Sequence, residues 1–205
     1  MNNRRIQEYS SLDSRELDNQ IAQQCAPLLT GVKISNILKT HRRNMERVYT
    51  IFSHTTVKAK CIYSNSEEIM MFLYKPEELE QVLKDLANAE IMVSLGYKYM
   101  DLEEVLESFT NRFHIYMEDR KTFPHEMGLL LGYPAADVMG FIENKGKDYL
   151  YSGYWKVYSN LEEALNTFHQ YQQAKEVITG LIACGMSIQG VLQACQLYQR
   201  KSSVV

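Results

Sequence analysis

The sequence predicts an α+β domain. Two neighbouring runs, 55–63 and 68–74, are rich in β-branched and apolar residues and flank a Ser64-Asn65-Ser66 turn, which reads as a hairpin. A third aromatic and β-branched run, 149–158, lies far downstream. Most of the remaining chain repeats apolar residues at helical spacing between recognisable caps. The third run is expected to join the hairpin in one small, mainly antiparallel sheet of about three strands, covered by about eight helices.

Taken in order, residues 1–11 are polar and expected to be flexible. A helix opens at Leu12 with an Asp13 or Ser14 cap. Pro27 interrupts it or begins a second one, and Leu28, Leu29, Val32, Ile34, Ile37 and Leu38 extend helical spacing to about Lys39. Residues 44–52 suit a further helix. In the hairpin, Val57, Ala59, Cys61 and Tyr63 are expected on one face and Lys58, Lys60 and Ile62 on the other. Pro76 then starts a helix, with Glu77 and Glu78 in its first turn and Leu79, Val82, Leu83 and Leu86 as its stripe. Asp101 caps a helix to about Glu118. Pro124 fits the first position of a short helix that Gly132-Tyr133-Pro134 ends, and Pro134 begins another that Gly146 stops. Asn160 caps a long helix through Ala183, ended by Gly185, and a last helix runs from Ser187 to about Arg200. Residues 12–200 form a single domain, with 201–205 a flexible end.

The chain has 205 residues, 45% of them hydrophobic, enough for a substantial core. A net charge of −3 gives no global field for nucleic acid. The apolar stretches are too short to span a bilayer, and the N-terminal residues lack the apolar centre of a secretion signal, so a soluble cytoplasmic protein is expected. Cys25, Cys61, Cys184 and Cys195 show no paired spacing and are expected as free, mostly buried thiols. His41, His54, His114 and His169 are scattered, and no motif implies a metal or an identified cofactor. Neither Gly-x-x-x-x-Gly-Lys-Ser/Thr nor Gly-x-Gly-x-x-Gly occurs, which argues against a P-loop or dinucleotide site. His41-Arg42-Arg43 reads as solvated surface.

Residues 122–158 are the densest part of the chain. They hold five of the ten glycines, two of the four prolines, the only tryptophan and five tyrosines. Glycine and proline restrict a backbone to particular shapes, so this run specifies one local geometry. Its motifs are Phe123-Pro124-His125-Glu126-x-Gly128, Leu131-Gly132-Tyr133-Pro134, Asp137-Val138-x-Gly140-Phe141-Ile142, Lys145-Gly146 and Gly153-Tyr154-Trp155-Lys156-Val157-Tyr158. With a second block, Cys25-Ala26-Pro27-x-Leu29-x-Gly31-x-Lys33-x-x-Asn36, they resemble a bacterial family of unknown function numbered thirty-seven ninety-three. The resemblance covers nearly the whole chain and implies no established activity. It implies a histidine before the first cysteine, where this chain has Gln24, and cysteines where Ser152 and Ala174 stand.

The candidate chemistry centres on this run. His125, at a helix start, can exchange a proton or a hydrogen bond, and Glu126 can orient a group or bind a cation; the bland alternative is a helix cap. Lys156 shares a strand face with Tyr154 and Tyr158, a surface suited to a planar ligand, while Trp155 points the other way and is expected to bury against Leu165 and Phe168. Lys33, Asn36 and Lys145 can add positive charge and hydrogen bonds for phosphate or carboxylate. Cys25 acts as a nucleophile only if it begins a helix and meets His125. The leading expectation is a small anionic or planar ligand at His125, Glu126, Lys156, Tyr154 and Tyr158, with Lys33, Asn36 or Lys145 at the rim. The alternatives are a non-catalytic module that docks a protein partner or a second copy of itself, and a cysteine-dependent hydrolase. The residues specify no reaction.

Overall fold

The structure, a computed structural model, describes the backbone of residues 2–98 and 101–202, and side chains within 14–98 and 101–197. Its centre is a three-stranded antiparallel sheet of β1 (Ser35–His41), β2 (Lys58–Ser64) and β3 (Glu68–Tyr74), in the order β1-β3-β2. The helices are α1 (Asn2–Leu29), α2 (Met45–Phe52), α3 (Pro76–Lys84), α4 (Leu86–Ser94), α5 (Leu102–Asp119), α6 (Glu126–Leu130), α7 (Ala135–Glu143), α8 (Leu161–Ala183) and α9 (Ile188–Ser202). A second sheet consists of two short antiparallel strands, β4 (Tyr151–Ser152) and β5 (Lys156–Val157). The fold is therefore α+β.

Helices cover both faces of the three-stranded sheet. Side chains alternate along β3, so Ile69, Met71 and Leu73 enter one core while Phe72 and Tyr74 enter another. The first core joins Leu38 of β1 to Leu17 and Ile21 of α1, Ile51 of α2, Ile178 of α8 and Val191 of α9. The second joins Phe72 to Leu79 and Leu83 of α3, Met92 of α4, Phe109 of α5, Leu129 and Leu130 of α6 and Val138 of α7. A third, small cluster holds Trp155 and Val157 against Ala164, Phe168 and Tyr171 of α8.

Several elements depart from the sequence reading. The helix expected over 27–39 is absent: α1 ends at Leu29, and β1 pairs along its length with β3, from Ser35 opposite Tyr74 to His41 opposite Glu68. Gly31 makes the break. It adopts φ 85°, and its N–H bonds Leu28 O, turning the chain out of the helix. The expected third strand of the main sheet is also absent there. Residues 150–158 instead fold back on themselves as β4–β5, a turn in which Gly153 N–H bonds Trp155 O and the missing Cβ of Gly153 admits Phe168 of α8. Before that, α1 starts well ahead of the expected cap and passes through Pro27 without interruption. The expected single helix after Pro76 splits at Asp85, whose carboxylate accepts from Asn88 N and caps α4. Finally, a bulge between Cys61 and Tyr63 shifts the register, so that Tyr63 packs with Ile62 on the second core rather than opposite it. By contrast β3, the Asp101 cap of α5 and the Asn160 cap of α8 lie where expected. Residues 203–205 of the expected flexible C-terminal end lie outside the described residues.

Two side chains tie the outer elements to the body. Gln24 of α1 donates to Lys39 O and accepts from Lys39 N at 2.9 Å each, satisfying the free edge of β1. Buried Asp18 accepts from Ile188 N at 3.0 Å and so closes the start of α9 against α1.

Candidate functional site

Between α6, α7 and the β4–β5 hairpin lies a cavity of about 320 Å³. Its walls are largely aromatic: Phe123, Tyr133, Phe141, Tyr154 and Trp155, with Met127, Gly128 and Val138 between them. His125 and Lys156 supply polar atoms, and Asp137, Ser152 and Gly153 complete the lining.

The indole of Trp155 fixes one wall. It stacks on Tyr133 at 5.0 Å between centroids and meets Phe168 edge-on at 4.4 Å. Trp155 is 8% exposed, as expected from its strand face, but its helix partners are Phe168 and Tyr171, while Leu165 is exposed. Asp137 holds this wall in place. Its Oδ2 accepts from Trp155 Nε1 at 2.7 Å, and its Oδ1 accepts from Tyr158 N, Ser159 N and Ser159 Oγ at 2.8–2.9 Å. A carboxylate in the first turn of α7 also suits the helix dipole. Small residues let the parts approach: a Cβ on Gly153 would lie 2.3 Å from Phe168, and one on Gly140 would lie 2.5 Å from Tyr158.

The opposite wall carries unspent polarity. His125 is the cap residue of the five-residue α6, and its ring lies near Phe123 at 5.4 Å and Phe141 at 5.8 Å. Its Nδ1 is buried without a hydrogen-bond partner. Burial lowers the His125 pKa below its ordinary value, with neighbouring Glu126 opposing, so the ring is neutral near pH 7. Lys156 Nζ donates to Gly146 O at 2.6 Å and lies over the Tyr149 ring at 4.8 Å and the Phe141 ring at 5.7 Å. No carboxylate pairs with it among the described residues.

The other sequence candidates divide. Glu126, 1% exposed, does not line the cavity. It accepts from Tyr97 Oη at 2.9 Å and faces Arg112 at 3.6 Å, tying α6 to the segment after α4 and to the middle of α5. Burial, reinforced by this carboxylate, pushes the Tyr97 phenol well above its ordinary range. Lys145 is exposed, with φ 51°, and Tyr158 covers Gly140 with its hydroxyl buried and unpartnered; neither lines the cavity. Lys33 and Asn36 meet Tyr154 at a second, smaller cavity. Cys25 lies behind them, fully buried, 3.6 Å from Asn36 Nδ2. It occupies the last turns of α1, where the dipole opposes a thiolate, and burial pushes its thiol up to about 12. It shares no cavity wall with His125, so the geometry for a thiol nucleophile is not assembled. All four thiols are free, and against expectation only Cys25 is fully buried: Cys61 and Cys195 are half-buried and Cys184 is exposed.

Sequence reasoning did not find Asp137, Phe123, Tyr133 or Phe141 as parts of a site. The available signal was the clustering of aromatics between 123 and 141 and an acid in the first turn of α7.

The model of one protein family, described as protein of unknown function (DUF3793), matches residues 21–192. The chain belongs to that family. The match spans α1 from Ile21 to Leu192 of α9, and so takes in every residue of the cavity. Nothing matches the chain among curated proteins or among solved structures. For this DUF3793 member, no helix among the described residues is long and apolar enough to cross a membrane, and no group of three or more His, Cys, Asp or Glu side chains is placed to hold a metal.

Proposed function

We propose that the cavity binds a small planar ligand that carries an anionic group. The observation that supports this is the pairing of five aromatic walls with two polar side chains in the lining, the imidazole of His125 and Lys156, whose ammonium has no acid partner among the described residues. Stacking surfaces favour a planar ring system, and Lys156 favours negative charge at one end of it. Neutral His125 offers one donor or acceptor to a ring substituent. The volume sits at the small end of the range of roughly 300–1,000 Å³ common for ligand pockets, which suits a compact aromatic acid.

Trp155, the sole tryptophan, reports on the site directly. Titration with aromatic carboxylates such as benzoate and indole-3-carboxylate should change its fluorescence saturably. Folded His125→Ala and Lys156→Ala variants should each weaken binding by about tenfold or more, the loss expected for one charged or buried hydrogen bond. Unchanged affinity in both variants would overturn the reading. Native mass spectrometry of anaerobically purified protein would identify a retained ligand.

A second reading has its own support. Tyr149, Leu150, Tyr151 and Tyr154 are all exposed on or beside the β4–β5 hairpin, an apolar surface of the kind that docks a protein partner. Pull-down with a Tyr151→Ser, Leu150→Ser double variant as control separates it from ligand binding.

A further inference from the structure

Lys33 occupies an unusual place. It follows the α1 terminus, its N–H bonds Pro27 O, and its side chain turns inward until the residue is 7% exposed. The ammonium donates to Asn36 Oδ1 at 3.0 Å and lies over the rings of Tyr133 at 5.4 Å and Tyr171 at 5.8 Å. No carboxylate pairs with it among the described residues. A buried charge held only by a neutral amide and two aromatic faces is incompletely compensated. Against it opens a cavity of about 70 Å³, whose wall includes Lys33, Asn36, Tyr154, Tyr171 and a second cation, Lys175. The amide of Asn36 is already committed to Gln24 O at 2.7 Å and that of Gln24 to Lys39 O at 2.9 Å, so the two lysines are the charged donors in a lining that also offers Gln23 and the tyrosine hydroxyls.

We propose that this pocket binds a small oxyanion, a carboxylate or phosphate-type group, between Lys33 and Lys175. The space is roughly two water volumes, the size of such a group and too small for a ring. No acid lines it, so an anion meets two cations and no repulsion. Tyr154 lines both this pocket and the aromatic cavity, so the anion is either free or an acidic group of the ligand proposed there that reaches past Tyr154, in place of or in addition to the end that Lys156 favours.

Protonation gives the site a signature. Burial lowers Lys33 to about 8, with Cys25 opposing. Of the other groups facing it, burial holds Cys25, Tyr133 and Tyr171 up at about 12 and raises Tyr154 as well; Lys175 is the second cation of the lining. Protonated Lys33 is the binding form, so affinity should be flat below about 8 and fall with rising pH above it. The expected slope is about tenfold per pH unit.

Sulfate and acetate, whose charges are constant in this range, are the probes, titrated calorimetrically at low ionic strength. Wild type should show saturable binding with that pH profile. Lys33→Met should lose about tenfold or more and Lys175→Met several-fold. His125→Phe leaves this pocket intact and disables only the aromatic cavity. Retained anion binding there indicates a free anion and keeps this site independent of the aromatic reading. Binding seen only as competition with an aromatic acid assigns the pocket to that ligand's acidic end. Absence of saturable binding or competition, equal affinity in Lys33→Met, or affinity flat through pH 8 would overturn the proposal. Should Lys33→Met fail to fold, Lys175→Met and the wild-type pH profile decide.

Discussion

The sheet with its two flanking cores and the α6–β5 segment around the cavity use buried polarity in opposite ways. In the body, inward polar groups are paired. Asp18 joins Arg47 and Ile188 N, Asn44 donates to Thr40 Oγ1, and Ser35 donates to Leu130 O. Around the cavity, Asp137 is saturated with four bonds, yet His125 Nδ1 and Tyr158 Oη are buried with none; in the body only Ser64 Oγ, at the end of β2, shares that state among the described residues. A protein selected only for stability tends to pair or replace such groups, and this is the contrast on which the proposed site rests. Asp137 ties α7 to the end of the β4–β5 hairpin through four bonds, so the unpaired groups lie in a segment that is otherwise well bonded.

The largest test of the contrast lies in the body. Phe72 is fully buried and contacts Tyr74 and Phe109 at 5.4 and 5.9 Å. Phe72→Ala should destabilise by about 3–5 kcal/mol, as for other large core truncations. Because Ser35–Leu130 and Glu126–Tyr97 link the two regions, far-ultraviolet dichroism and Trp155 fluorescence should report one shared urea transition. A tryptophan transition that stays in place while dichroism shifts would show that the cavity segment folds separately.

Next in size is Asp137→Ala. It leaves the Trp155 indole N–H and the Tyr158 and Ser159 amides without their acceptor, and should cost about 2–4 kcal/mol. The Trp155 emission should shift to the red as the wall loosens. A stability change within experimental error would mean that water replaces the carboxylate and that this wall is not rigid.

The contrast also explains what the sequence could show. β3 and the Asp101 and Asn160 caps were legible because their signals are local: a run of six apolar residues from Ile69 to Tyr74, and a side chain that reaches its own helix. β1 was not, because Ile34, Ile37 and Leu38 fit helical spacing carried on from Leu28 and Leu29, and only Gly31 marks the break. The run at 149–158 had strand composition, but composition does not tell a strand of the main sheet from a tight hairpin. For the site, His125, Tyr154 and Lys156 do share a cavity, since the motif's turns bring α6 and β5 together. Glu126 was misplaced because its partners Tyr97 and Arg112 come from other helices, a long-range pairing that spacing does not encode. The aromatic walls were hidden for the same reason.

A smaller effect of opposite sign is expected at His125. Its neighbours Phe123 and Phe141 are apolar rings, and its Nδ1 has no partner to lose. His125→Phe should therefore leave stability unchanged or raise it by about 1 kcal/mol, while abolishing binding of aromatic acids. Chemical denaturation and the Trp155 titration measure the two sides. Destabilisation by more than about 2 kcal/mol would mean that the ring serves the fold, and the contrast between the regions would fail.

The smallest effect is a pH slope, and its sign follows from the same burial. Burial holds the folded His125 pKa below the ordinary 6.5, so between the two values the unfolded chain binds the proton that the folded one refuses. The stability this group contributes is therefore complete above about 6.5 and is lost as pH falls from there through the folded value. Below the folded value the imidazolium is present in both states and the slope from this residue ends. An anionic ligand should reverse part of it, because a negative group beside the ring stabilises the imidazolium and raises its pKa. The difference in urea midpoint between wild type and His125→Phe, followed from pH 7.5 to 5, isolates this contribution from that of the carboxylates. Wild type should lose more stability than the variant across that range, and benzoate should narrow the gap. Parallel curves would show that His125 is as well solvated in the folded state as in the unfolded chain, which would remove one of the two polar groups from the proposed site.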